Sequence, residues 1–151
     1  MIELMMVIAV IAIRATLALP SIQARLVRSQ IIEAMKIAEI AKAPIAVAWA
    51  ITRTLPATND EAGLPAADRV VSNLVASVAV ENGAIQVTFG NQASGTIRGK
   101  IVSLRPAVVE DSPVVPVAWI CGRAPVPSPM TAHGIDRTSI SEGLLPLNCR
   151  P

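Results

Sequence analysis

Tyrosine is absent from this 151-residue chain, and Phe89, Trp49 and Trp119 are its only aromatic residues. Stacking platforms for single-stranded nucleic acid are therefore excluded. One histidine, His133, and two cysteines, Cys121 and Cys149, exclude a three-histidine metal site and a four-cysteine zinc site. Charge is scarce as well: 16% of residues are charged and 52% hydrophobic, which excludes a disordered polyampholyte. A net charge of +2 is too small to steer a partner. The small basic excess, Arg14, Arg25, Arg28, Lys36 and Lys42 against Glu3, Glu33 and Glu39, lies in residues 1–52, and the remainder is neutral.

Catalytic constellations are missing too. No nucleophile elbow of the form G-x-S-x-G and no Gly-rich phosphate loop occurs. His133 falls in a Pro- and Gly-rich tail and reads as a solvated loop residue. Glu110-Asp111 reads as a turn, with too few carboxylates for calcium. The expectation is a protein that is not an enzyme and that has no catalytic, cofactor-binding or metal site.

What the chain does have is apolar length, with a mean hydropathy of +0.55. Its first 54 residues contain no glycine, whereas all 8 glycines and most of the 12 prolines follow. Residues 1–19 are interrupted only by Glu3, Arg14 and Thr16. A membrane-spanning helix needs roughly 20 apolar residues, so this segment is a candidate for one; a buried core helix is the alternative. From Ser21 to Thr52, apolar residues recur at Val27, Ile31, Ala34, Met35, Ala38, Ala41, Ile45, Ala48 and Trp49. Steps of three and four mark one helical face. The charges between them read as a solvated face, with Lys36 and Lys42 each three residues after a Glu. If Pro20 and Pro44 bend the helix without ending it, residues 2–52 form one rod of roughly 75 Å, far longer than any head the rest could build. The projecting part then needs lipid or other subunits to cover it.

After Thr54 the pattern shortens. Asn73–Val80 and Ala84–Phe89 flank Asn82-Gly83, a hairpin signal. Lys100–Leu104 and Val114–Cys121 read as two further strands, residues 53–70 as a loop, and Gly122–Pro151 as a long loop that needs a reason to stay ordered. A Cys121–Cys149 disulfide would supply one; two separate buried thiols are the alternative.

The run Ile2-Glu3-Leu4-Met5-Met6-Val7-Ile8-Ala9-Val10-Ile11-Ala12-Ile13 resembles the N-terminal helix of type IV pilins, whose mature chains open F-T-L-I-E-L-M-I-V-I-A-I. Ala18-Leu19-Pro20 and Arg28-Ser29-Gln30 stand where that family has A-L-P and R-S-Q. Trp119-Ile120-Cys121 and Cys149 look like the two ends of its C-terminal disulfide loop, as in pilins of Gram-negative bacteria. The family is made with a short basic leader ending in Gly, cut before a Phe that is then N-methylated. Met1 here stands where the family has Leu, so the resemblance implies an N-terminally truncated chain. Arg14 also departs from the pattern, because at the centre of a membrane helix it costs roughly 2.5–3.5 kcal/mol.

The resemblance implies an α+β fold: a long N-terminal helix, an antiparallel sheet of about four strands and a disulfide-closed C-terminal loop. Residues 1–23 would be the membrane and fibre-core segment, and residues 24–151 the head. The implied function is a structural subunit of a type IV pilus supporting adhesion, twitching motility or DNA uptake. Its partners would be identical subunits, the membrane and the inner-membrane assembly machinery, and it would move from the inner membrane to an extracellular fibre. DNA as a partner has no support from charge. The alternatives are a minor pilin, a type II secretion pseudopilin, or a binding protein or enzyme anchored by one helix. An anchor needs only a linker after Leu19, whereas here an amphipathic helix continues, which favours the subunit.

Three residues are candidates for assembly. A carboxylate on an apolar helix is costly unless paired. Glu3 sits at a helix N-terminus, where negative charge is favoured, so capping within the chain is one reading. The resemblance implies instead that Glu3 meets the N-terminal amine of a neighbouring subunit. Pro20 crowds the carbonyl of Thr16, and the resemblance implies that the segment before it, Ala12–Leu19, loses helical order in a fibre and lets it stretch. Arg14, within that segment, could then reach a neighbour's carboxylate such as Glu3.

Overall fold

The computed structural model describes the backbone of residues 1–151 and the side chains of all but residues 17–20. Helix α1 (Ile2–Met35) passes through one 3-10 turn, Lys36–Ala38, into helix α2 (Glu39–Thr52). Together they make one rod of 51 residues, about 77 Å long at 1.5 Å per residue. The long glycine-free run of Ala, Ile, Leu and Met favours this. Pro44 lies inside α2 and does not end it; the tightening to 3-10 geometry comes well before it. The side chain of Pro20, and with it the expected bend there, lies outside the described residues, as does part of Ala12–Leu19. Thr16 is described: its hydroxyl donates to the Ile13 carbonyl at 2.8 Å, rather than compensating at the carbonyl that Pro20 would crowd. The rod ends at Arg53, whose left-handed backbone (φ 61°) caps α2 with a bond from its N–H to the Trp49 carbonyl.

One stripe of the rod is buried, formed by Val27, Ile31, Ala34, Ala38, Ala41, Ile45 and Trp49. All are positions that the spacing predicts. The three alanines at its centre let the helix lie close to the sheet, where Val78, Ile85, Val87, Phe89, Val102 and Leu104 complete the core.

The sheet is antiparallel in the order β1-β2-β3-β4, from β1 (Val75–Glu81), β2 (Ala84–Phe89), β3 (Ile101–Val108) and β4 (Ala118–Cys121). A two-residue strand, β5 (Thr131–Ala132), pairs with β3. Ala107 faces Ala118 on β4 and Ala132 on β5, so β5 takes the edge of β3 that β2 leaves free beyond its last pair, Ile85 with Leu104. The β1–β2 hairpin closes through Asn82 (φ 49°) and Gly83 (φ 83°), the tight turn expected of Asn-Gly.

β1 begins at Val75 rather than Asn73, and two strand limits differ from expectation by four residues. β3 runs past Leu104 through Pro106, whose carbonyl accepts the His133 N–H at 2.8 Å. β4 begins at Ala118 rather than Val114, because Pro113 and Pro116 have no N–H to give to a ladder.

Cys121 and Cys149 are joined, closing a span of 28 residues with Cα atoms 4.5 Å apart. The bond is not the only reason the tail is ordered. The Ser103 N–H donates to the Thr138 hydroxyl at 3.1 Å, and the Arg137 N–H to the Ser103 hydroxyl at 2.7 Å. The Ser103 hydroxyl itself donates to the Gln86 side chain, which donates to the Ile135 carbonyl at 2.9 Å. Ile140 and Leu145 of the tail are buried in the core.

Candidate assembly surface

The first part of α1 stands clear of the head. Residues 1–16 are all exposed, and none of them is buried within the chain. Ile2, Leu4, Met5, Met6, Ile8 and Ile11 each expose more than half their surface. Burial starts at Val27, where the rod reaches the head. This much exposed apolar surface on one element marks an interaction or membrane site.

Glu3 lies in the first turn of α1, whose N-cap residue, Met1, makes no side-chain capping bond. Arg14 lies three turns further along. Both are exposed, and neither has a hydrogen-bonding or ionic partner among the described residues. Among the described residues the structure therefore shows neither a cap nor a partner for Glu3 and does not bring Glu3 and Arg14 together within the chain; the Pro20 side chain lies outside the described residues.

A second feature lies on the head. Ile22, Leu26, Ile40, Val47 and Ile51 are exposed on the rod, at steps of four, fourteen, seven and four residues. Those steps keep them on one face, turned away from the core. The sequence holds this signal, but the charges interleaved with it, Glu33, Lys36 and Glu39, read as a solvated face and conceal it. Exposed apolar residues thus recur along the outside of the head.

On the head several charges have local structural partners. Lys42 pairs with Glu39 at 2.6 Å and lies 5.9 Å from the Trp119 ring. Arg28 donates to the Gly143 carbonyl at 2.7 Å and ties the rod to the tail. His133 is not the solvated residue expected: its ring lies 5.9 Å from that of Trp49, and its Nε2 is 2.9 Å from Glu110. Burial pushes the Asp136 carboxyl up. The side chain and N–H of Thr138, the Arg105 charge and the Ser103 hydroxyl outweigh it and hold the group below the ordinary carboxylate value. Among the described residues no cluster of three or more His, Cys, Asp or Glu side chains could hold a metal.

A small head of antiparallel strands, closed by a C-terminal disulfide and carried on a helix with half its length uncovered, is the build of a filament subunit. A family model described as pilin (bacterial filament) matches residues 27–150. The chain is 34% identical over 157 residues to type IV major pilin protein PilE1 of Neisseria gonorrhoeae, covering 99% of this chain and 84% of that protein. It is also 34% identical over 124 residues to a fimbrial protein of Neisseria meningitidis serogroup A, covering 82% and 71%. A third relative, fimbrial protein EcpC of Eikenella corrodens, is 34% identical over 125 residues, covering 80% and 78%. The chain belongs to the pilin family, a family of structural filament subunits and not of enzymes.

Proposed function

We propose that this chain polymerises with identical copies into a type IV pilus fibre, its rods packing along the axis and its heads facing outward. In this reading residues 1–23 are the membrane and fibre-core segment and residues 24–151 the head. The chain waits in the inner membrane, is taken up by the assembly machinery there, and ends in an extracellular fibre. The observation that carries the reading is the exposed apolar surface of the rod, dense from Ile2 to Ile13 and recurring at Ile22, Leu26, Ile40, Val47 and Ile51. A membrane could cover the first half of that surface; Ile40, Val47 and Ile51, which flank the head, call for other copies. Glu3, Arg14 and Pro20 lie on or near the segment that changes from lipid to protein surroundings, and we assign all three to assembly. The fibre serves adhesion, twitching motility or DNA uptake. The neutral balance of residues 53–151 lends no charge support to DNA binding.

The test is substitution on the outward face. In cells that make this chain as their sole pilin, Ile40→Asp combined with Val47→Asp should abolish fibres recovered by shearing. The head should stay folded, because both residues lie off its core. Normal fibre yield from this variant would refute packing through that face.

A further inference from the structure

We propose that the end of the head from which the rod emerges is a collar of arginines that holds the phosphates of anionic phospholipid headgroups. The inference rests on the membrane stage of the reading above and names the lipid that the chain meets there. Net charge conceals the collar, because the collar is a matter of placement. Residues 15–32 contain no Asp or Glu, and Arg25 and Arg28 are their only charges. Three positions apart on α1, these two share one side of the rod. Two other segments bring further arginines to the same end. The Arg28 guanidinium donates to the Gly143 carbonyl at 2.7 Å, and that of Arg150 donates to the same carbonyl at 3.2 Å. Glu142, next to Gly143 in the chain, pairs with Arg123 at 2.7 Å. On another face of the rod, Gln30 accepts the Ser94 N–H at 3.0 Å. The Ser94 carbonyl in turn accepts the N–H of Arg98 at 2.9 Å. Among the described residues, Glu142 is the one carboxylate bonded to any of these arginines, and the exposed Arg25 has no partner.

The height of the collar selects its occupant. From Ile2 to Ile22 the helix rises about 30 Å, the thickness of a bilayer's hydrocarbon core. Arg25 then stands about 4.5 Å beyond that core and Arg28 about 9 Å. The headgroup layer is about 5–8 Å deep, and a guanidinium on its long stem reaches back over the difference. Guanidinium and phosphate match in charge and pair through two parallel hydrogen bonds. Duplex DNA carries phosphates too, but it would have to approach the end that the membrane segment leaves from. Lys36, exposed on the same rod, is about 21 Å beyond Ile22 and outside the headgroup layer.

The experiment reconstitutes the full chain in vesicles of phosphatidylcholine mixed with phosphatidylglycerol. Electron spin resonance then reads how much spin-labelled phosphatidylglycerol, and how much spin-labelled phosphatidylcholine, is held beside the protein. The unaltered chain should prefer the anionic lipid by about threefold or more, and added salt should weaken the preference. Arg25→Glu should remove at least about half of it, and Arg25→Lys should keep it. Lys36→Glu makes a matching change of charge further along the rod and should leave it unaltered. Neither Arg25 nor Lys36 has a bond in the head to lose, so these variants keep the fold. Equal association with the two lipids, an undiminished preference in Arg25→Glu, or an equal loss in Lys36→Glu would overturn the collar. Capture of duplex DNA by the unaltered chain, lost in Arg25→Glu and without lipid preference, would overturn it in favour of nucleic acid. Each of these can occur in a chain that still polymerises, so the filament reading would stand. Failure of the chain to float with the vesicles would overturn the membrane stage itself and the collar with it.

Discussion

Ser103 shows how much of the head hangs on single polar side chains. It is fully buried on β3 and joins the sheet, through Gln86, to the backbone of the tail at Ile135 and Arg137. Removing its hydroxyl leaves buried groups without partners, a loss of about 1–3 kcal/mol. Ser103→Ala should therefore lower the denaturation midpoint of the head clearly. Arg137→Ala should change stability by less than about 1 kcal/mol, because its pair with Glu81 (2.6 Å) is largely exposed. Asp136 belongs to the same seam. Its carboxyl sits below the ordinary value, so it stabilises the fold when ionised. That contribution is complete above the unfolded value, about pH 4, and is lost as pH falls through the lower folded value. An acid titration of stability should show this loss, and Asp136→Asn should flatten it. Asn59 has a parallel role at the other edge of the sheet. Its side chain accepts the Val80 N–H at 2.6 Å and donates to the Val78 carbonyl at 3.0 Å, and so covers the open edge of β1.

The rod and the hairpin were legible in the sequence because each has a strong period or a turn with one physical solution. Steps of three and four marked the buried face from Val27 to Trp49, and Asn82-Gly83 fixed the β1–β2 connection. The limits of β3 and β4 were less legible, because a proline can sit at a strand position where no neighbour needs its N–H, as Pro106 does, or can end a strand, as Pro116 does. The tail carried no period at all. Its order comes from the contacts of Ser103, Thr138 and Gln86, which neither residue type nor spacing announces. The charged end residues of the candidate surface, Glu3 and Arg14, were legible as charges out of place; the outward stripe on the head was hidden among charged neighbours. The disulfide adds its own constraint, roughly 3–4 kcal/mol for a loop of this size on the chain-entropy estimate. Cys149→Ser should loosen residues 122–151 first, seen as faster hydrogen exchange there with protection kept in α2 and β2. Equal loss across the head would show that the tail is not a separable unit.

The whole molecule is a rod of which one half belongs to the head and the other to something outside the chain. Its own core accounts for the face from Val27 to Trp49, and among the described residues Ile2 to Ile13 and the stripe from Ile22 to Ile51 stay exposed. In the proposed reading, lipid and neighbouring copies in turn account for both. A cryo-EM reconstruction of fibres sheared from cells making this chain tests that account most directly. It should show the rods bundled on the axis, with Ile22, Leu26, Ile40 and Val47 against neighbouring copies and the disulfide-closed tails outside. Fibres in which that stripe faces solvent, or cells that carry the chain in the membrane and make no fibre, would contradict it.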